Sequence, residues 1–158
     1  MKPFLCVTNL CIALCIALCS ALLVALTACS SNPISSIPLP DPDLIIEGDA
    51  SFQATHGGQS VSVVVVGLDE FAVGQQSGTV SATDVPSFSF SFPALLARGF
   101  SYQVHYWIDS DDGGRSPGTC DPNDHQGSLP AFSASANVTL TASHSDPNTV
   151  DVCSKFTL

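Results

Sequence analysis

The chain has 158 residues, and its 14 acidic and 4 basic side chains give a formal net charge of −10 at pH 7. All of the acidic residues follow Cys29, whereas Lys2 precedes it, so the part after Cys29 is strongly acidic. Such a domain cannot bind nucleic acid by neutralising phosphates. It also cannot adhere to anionic lipid by charge alone, which leaves a covalent lipid or a transmembrane segment as the means of reaching a membrane.

An apolar segment runs from Phe4 to Ala28 and ends in the string Leu26-Thr27-Ala28-Cys29. This string resembles the lipobox of bacterial lipoproteins, in which a hydrophobic and two small residues precede the lipidated cysteine. The resemblance implies a cleaved signal peptide over residues 1–28 and a membrane anchor of lipid acylated onto Cys29. Ser30 after the cysteine implies export to the outer membrane. A retained transmembrane helix is the alternative, because about 20 apolar residues suffice to span a bilayer.

Serine and proline dominate residues 29–43, and this composition predicts an extended tether behind the lipidated cysteine. The folded domain is then expected over residues 44–158. That length suits a single domain.

Alternating apolar residues and β-branched runs predict short strands at 44–52, 60–66, 78–82, 87–92, 102–108, 136–141 and 150–156. In the 87–92 segment three phenylalanines share one face. In the 102–108 segment Tyr102 and Tyr106 share a face, with His105 and Trp107 opposite. No sustained helical period follows Leu44. We therefore predict an all-β domain, a single antiparallel Greek-key-type sandwich of about seven strands.

Cys120 and Cys153 are the two cysteines that remain once the leader and Cys29 are set aside. An exported protein meets an oxidising compartment, in which disulfides persist. We therefore predict a bond between these two residues, which would fasten the long loop after residue 108 to the last strand. Closing a loop of about 34 residues stabilises the fold by roughly 3 to 4 kcal/mol.

Five aspartates crowd this long loop, namely Asp109, Asp111, Asp112, Asp121 and Asp124. Alternate carboxylates followed by glycine are typical of the start of a calcium loop, although Cys120 stands where the bidentate glutamate is expected. Two interpretations follow: a solvated loop that uses Asp and Gly for their turn conformations, or a weak Ca²⁺ site formed by these aspartates.

The histidines are His56, His105, His125 and His144. No GxSxG or HExxH motif accompanies them, so we expect the protein not to be an enzyme. The alternative is a small envelope hydrolase that uses His105 or His125, and His125 is also a candidate metal ligand. Tyr102, His105 and Trp107 form a candidate ligand face for a protein or a glycan at the envelope.

The aromatic strand at 102–109 leads into the acidic loop, followed by Cys120-Asp121 and Asp124-His125. This pattern resembles the transthyretin-like or carboxypeptidase-regulatory-like modules of exported bacterial proteins. The resemblance covers residues 44–125. It implies a seven-stranded sandwich used for adhesion, spacing or ligand binding, and no defined reaction. The chain is therefore expected to be a membrane-anchored, non-catalytic binding or structural module of the cell envelope.

Overall fold

The computed structural model describes residues 39–110, 117–146 and 152–156. They belong to one compact unit, which spans residues 39–158. The predicted leader, the lipidation site Cys29 and most of the tether therefore lie outside the described residues. Within the described ranges, no helix has both the length and the apolar character needed to cross a bilayer.

Eight strands of the described residues form two sheets. The strands are β1 (Leu44–Gly48), β2 (Ser60–Gly67), β3 (Ala72–Thr79), β4 (Phe88–Phe92), β5 (Ser101–Ile108), β6 (His125–Ser128), β7 (Phe132–Ser133) and β8 (Val138–Ala142). The smaller sheet has the order β4-β1-β8 and the larger sheet has the order β3-β2-β5-β6, with β7 also paired to β5. The predicted all-β sandwich is thus confirmed.

One pairing departs from the predicted antiparallel arrangement. Strand β1 pairs in parallel with β8, with Leu44 opposite Val138, while its other neighbour β4 runs antiparallel. Alternation within a strand shows which side chains share a face, but it carries no information on strand direction. The direction of β8 could therefore not be predicted from the sequence pattern.

The predicted first strand is shorter than expected, because the chain turns after Gly48. The Asp49 carboxylate accepts a hydrogen bond from the Ser51 N–H at 2.8 Å and caps a 3-10 helix, Ala50–Phe52. This helix runs directly into one α-helical turn, α1 (Gln53–His56). Aspartate is a common N-cap, because its carboxylate accepts a hydrogen bond from a free N–H in the first turn of a helix. Here this cap starts a helix where the apolar pattern alone predicted that the strand continues.

Of the weak strand predicted at 78–82, only Gly78 and Thr79 lie in a strand, at the end of β3, which begins earlier, at Ala72, and ends at Thr79. The strand lies at the edge of the larger sheet and most of its residues are exposed. An exposed edge strand needs no alternation of apolar residues, so its sequence AVGQQSGT gave no pattern to detect.

The predicted last strand is wrong. Val152–Phe156 forms a 3-10 helix, and Val150 lies outside the described residues. This helix, named here the covering helix, contacts β2, β3, β5 and β6 of the larger sheet. The Val152 N–H donates to the Gln126 Oε1 at 3.1 Å, and Gln126 is buried. The side chain of Gln126 in β6 thus accepts the hydrogen bond of a backbone N–H that, in the predicted strand, a neighbouring strand would have accepted.

The core lies between the two sheets, where the inward faces predicted from alternation are confirmed. These buried residues include Phe88, Phe90 and Phe92 from β4 and Tyr102, Val104, Tyr106 and Ile108 from β5. The opposite face of the larger sheet is also buried at Val64, His105 and Trp107. The reason is that the covering helix packs on this outer face, so β2 and β5 are covered on both sides.

Candidate functional site

A cleft of about 320 Å³ lies on the outer face of the larger sheet beside the covering helix. We name it the Trp107 cleft. Its floor comes from β2, β3 and β5, and its walls come from the loop after β5 and from the covering helix. The lining residues are Ser62, Gln75, Ser77, Trp107, Gly118, Thr119, Cys120, Cys153 and Phe156. None of these is ionisable in the disulfide-bonded state, so the cleft is neutral as far as its described lining goes, although the chain is acidic.

Trp107 forms the aromatic part of this cleft and is 6% exposed. The ring of Phe156 packs edge to face against the indole ring of Trp107, and the two ring centroids are 6.2 Å apart. The buried indole Nε1–H of Trp107 has no hydrogen-bond partner among the described residues. A buried donor without an acceptor costs about 1–3 kcal/mol.

The predicted disulfide between Cys120 and Cys153 is confirmed, with the two Cα atoms 5.3 Å apart. It fastens the loop after β5 to the covering helix, in place of the predicted last strand. Because both cysteines line the Trp107 cleft, the bond also forms part of the cleft wall.

The predicted ligand face of Tyr102, His105 and Trp107 is not one surface. Tyr102 lies on the inner side of β5, buried in the core, where its hydroxyl oxygen accepts a hydrogen bond from the Ala97 N–H at 2.8 Å. His105 and Trp107 share the outer side, but each is buried. Only Trp107 of the three therefore lines the Trp107 cleft.

His105 lines a second recess of about 260 Å³, on the outer face near Glu70 and Lys155. Its Nδ1 is 2.6 Å from the Ser128 hydroxyl, directly opposite on β6. Burial lowers the pKa of His105, and the positive charge of Lys155 lowers it further, against the effect of Glu70. His105 and Ser128 are the residue types of a serine-histidine hydrolase pair, in which a carboxylate would orient the imidazole. The nearby carboxylate, that of Glu70, instead pairs with Lys155 at 3.1 Å. We therefore interpret the contact between His105 and Ser128 as a hydrogen bond between neighbouring strands.

Each of the three described aspartates of the acidic loop accepts backbone hydrogen bonds. Asp109 accepts from Gly118, Asp121 accepts from Asn123, and the buried Asp124 accepts from both Ser110 and Asp121, at distances of 2.7 to 3.1 Å. Burial raises the pKa of Asp124 despite these bonds, and the charges of Asp121 and Asp109 add to the rise. Asp111 and Asp112 lie outside the described residues. The Ca²⁺ site therefore stays a prediction.

Three histidines that are distant in the sequence meet at one end of the sandwich. His56 ends α1, His125 begins β6, and His144 follows β8. Their ring centroids are 4.7 to 5.1 Å apart in all three pairs. We name this group the histidine triangle. Burial lowers the pKa of His125 to about 4, and the neighbouring His56 and His144 contribute to the shift.

Sequence reasoning named all four histidines but did not group these three. It expected Asp121 and Asp124 to be the metal-binding neighbours of His125, whereas Asp124 instead binds backbone N–H groups. No local spacing links the three histidines, since each belongs to a different part of the fold. The grouping depends on how the two sheets pack.

No protein-family profile and no curated protein sequence matches the chain. Solved structures with partial likeness include a proposed polysaccharide-binding protein of Bacteroides thetaiotaomicron, with 12% identity, a TM-score of 0.41, and coverage of 65% of this chain and 46% of that one. A proposed adhesin of Bacteroides ovatus has 18% identity, a TM-score of 0.38, and coverage of 68% and 47%. A fimbrial assembly protein of Parabacteroides distasonis has 11% identity, a TM-score of 0.36, and coverage of 64% and 51%. The chain spans about half the length of these proteins, and likeness of this degree assigns no activity to it.

Proposed function

We propose that the protein is an exported, lipid-anchored, non-catalytic module of the bacterial envelope that binds a neutral glycan in the Trp107 cleft. The observation that carries the proposal is this neutral cleft, one wall of which contains the Cys120–Cys153 disulfide. The disulfide favours an oxidising compartment outside the cytoplasm. The lipobox-like string ending at Cys29 supplies the anchor.

The chemistry of the cleft favours a saccharide over a charged ligand. The Ser62 and Ser77 hydroxyls are hydrogen-bonded to each other at 2.7 Å, and Thr119 and Gln75 add another hydroxyl and an amide, so the site can both donate to and accept from sugar hydroxyls. The partly exposed Phe156 adds apolar surface for the C–H faces of a sugar ring. A few placed polar groups beside aromatic side chains are typical of small-ligand sites.

Binding is tested by titrating the full-length, detergent-purified protein with neutral oligomers of glucose, mannose and N-acetylglucosamine. Trp107 is the one tryptophan of the chain, so its fluorescence reports on the cleft. We expect a saturable change in emission with at least one oligomer. Gln75→Ala should weaken binding about 5- to 10-fold, because one hydrogen bond to the ligand contributes about 1 kcal/mol.

Gln76→Ala is the matched control for this test. Gln76 is the next residue of β3, and its amide donates to the Ser91 carbonyl of β4 rather than lining the cleft. Its substitution should leave affinity unchanged. The glycan proposal fails if no oligomer changes the emission at millimolar concentration, or if the two variants weaken binding equally.

The anchor is tested separately in a bacterial host fed an alkyne-bearing fatty acid. We expect the wild-type protein to carry the label in the membrane fraction, and Cys29→Ala to lose the label and keep the mass of its leader. Cys19→Ala, which lies earlier in the apolar segment, should be labelled normally. Unlabelled wild-type protein that retains its leader would instead establish the transmembrane alternative.

A further inference from the structure

We propose that His56, His125 and His144 form a Zn²⁺ site at the end of the sandwich, with imidazole ligands in place of the acidic loop carboxylates that the sequence suggested. This site is independent of glycan binding in the Trp107 cleft. One ring nitrogen from each of the three histidines lies within 4.8 Å of those of the other two. Within the described ranges, no other group of three potential ligands is gathered in this way.

The distances suit a metal after a small closure. Zn–N bonds of about 2.0–2.1 Å in a tetrahedral site place the ligand nitrogens about 3.3 Å apart. The ring nitrogens of the histidine triangle thus need to approach by at most about 1.5 Å, which rotation about the side-chain torsions can supply. His144 follows β8 and is partly exposed, so it has room to adjust.

A hydrogen bond already orients the ring of His56. The His56 Nδ1 is 2.6 Å from the Gln59 Oε1, which directs its other ring nitrogen away from the glutamine. Such outer contacts of ligand histidines fix ring orientation in metal sites. The backbone of His144 is held as well, because its N–H donates to the Ser51 hydroxyl at 2.8 Å, and the Ser51 side chain is bound in turn to the Asp49 carboxylate.

The Asp49 carboxylate lies near the site, because it accepts hydrogen bonds from the backbone and the hydroxyl of Ser51, whose hydroxyl oxygen also accepts from the His144 backbone N–H. An aspartate at this place offsets part of the charge of a bound dication.

Aromatic rings pack around one side of the triangle. The Phe52 ring meets the rings of His125 and His144 edge to face, at 5.7 and 6.0 Å, and Tyr106 packs against His125 at 6.0 Å. The buried Nε2 of His125 has no hydrogen-bond partner among the described residues. Leaving this buried polar atom unsatisfied is unfavourable, whereas a metal ion would use it as a ligand.

The imidazole nitrogens of the three histidines indicate which metal ions the site would bind. Three imidazoles without a carboxylate suit Zn²⁺ and its transition-metal neighbours and do not suit Ca²⁺, which prefers six to eight oxygen ligands. Three protein ligands leave a fourth tetrahedral position for water or for another donor.

The test is calorimetric titration of the full-length, oxidised, detergent-purified protein with Zn²⁺ after treatment with chelator. We expect one Zn²⁺ per chain. His144→Gln and His125→Gln should each weaken binding at least about 100-fold, since even outer-shell substitutions cost about 10- to 100-fold. His105→Gln is the matched control, because His105 is the remaining histidine and lies outside the triangle. It should bind as the wild type does.

Co²⁺ titration of the wild-type protein provides a second measurement in case the variants fold poorly. Visible d–d absorption without a thiolate charge-transfer band, abolished by Zn²⁺, would support a nitrogen-ligand site. The proposal is overturned if the wild-type protein binds no stoichiometric Zn²⁺ at micromolar concentration. It is also overturned if folded His144→Gln binds as tightly as His105→Gln, or if the Co²⁺ spectrum is that of thiolate ligands.

Discussion

Replacing Phe52 by alanine is expected to lower the free energy of unfolding by about 3–5 kcal/mol. Phe52 is fully buried at the end of the 3-10 helix Ala50–Phe52. Its ring contacts Phe88 of the smaller sheet at 5.5 Å and Tyr106 of the larger sheet at 5.9 Å. Truncation therefore removes a contact that joins both layers and leaves a cavity that neither sheet can close alone. Urea unfolding followed by Trp107 fluorescence measures the loss.

Phe71→Ala provides the control for this variant. Phe71 is 73% exposed, so the same change of side chain should alter the free energy of unfolding by no more than about 0.5 kcal/mol. If the two variants unfold at similar urea concentrations, Phe52 does not hold the layers together. Because the Phe52 ring also meets His125 and His144, Phe52→Ala should in addition weaken Zn²⁺ binding by loosening the histidine triangle.

Removing the disulfide is expected to cost about 3–4 kcal/mol of stability. The bond joins residues separated by 33 positions, and the entropy of closing a loop of that size in the unfolded chain sets the magnitude. The change is the double variant Cys120→Ala/Cys153→Ala, which avoids a free thiol. Since both residues line the Trp107 cleft, we also expect glycan binding to be lost or strongly weakened.

A reducing agent supplies the internal comparison. It should lower the unfolding midpoint of the wild-type protein to that of the double variant, and leave the double variant unchanged. Equal midpoints for wild type and double variant would contradict a stabilising bond. A loss of stability without loss of glycan binding would show that the cleft wall holds without the covalent link.

The two proposed sites lie on different parts of the domain and predict separable behaviour. The Trp107 cleft lies on the outer face of the larger sheet, whereas the histidine triangle gathers around the buried Phe52. Gln75→Ala should therefore leave Zn²⁺ binding intact, and His144→Gln should leave glycan affinity intact. Such independence is expected when substituted residues share no partner.

Local patterns in the sequence were enough to predict the all-β class and to predict which faces of the central strands are buried. The alternation at Phe88, Phe90 and Phe92 and the apolar side of β5 read directly as core, because side chains of a strand point alternately to its two faces. The pairing of Cys120 with Cys153 also followed, since they were the two cysteines left beyond the leader and Cys29. The edge strand β3 carried no such pattern and was placed wrongly.

Only the tertiary structure decided which residues meet across the sheets. Gln126 of β6 supplies the acceptor for the covering helix, and this helix buries Trp107 on a face that alternation alone would leave open to solvent. The histidine triangle arises in the same way, since β6, β8 and α1 each bring one residue to the same end of the sandwich. Sequence periodicity reports the surroundings of one element at a time, whereas both candidate sites depend on how separate elements pack together.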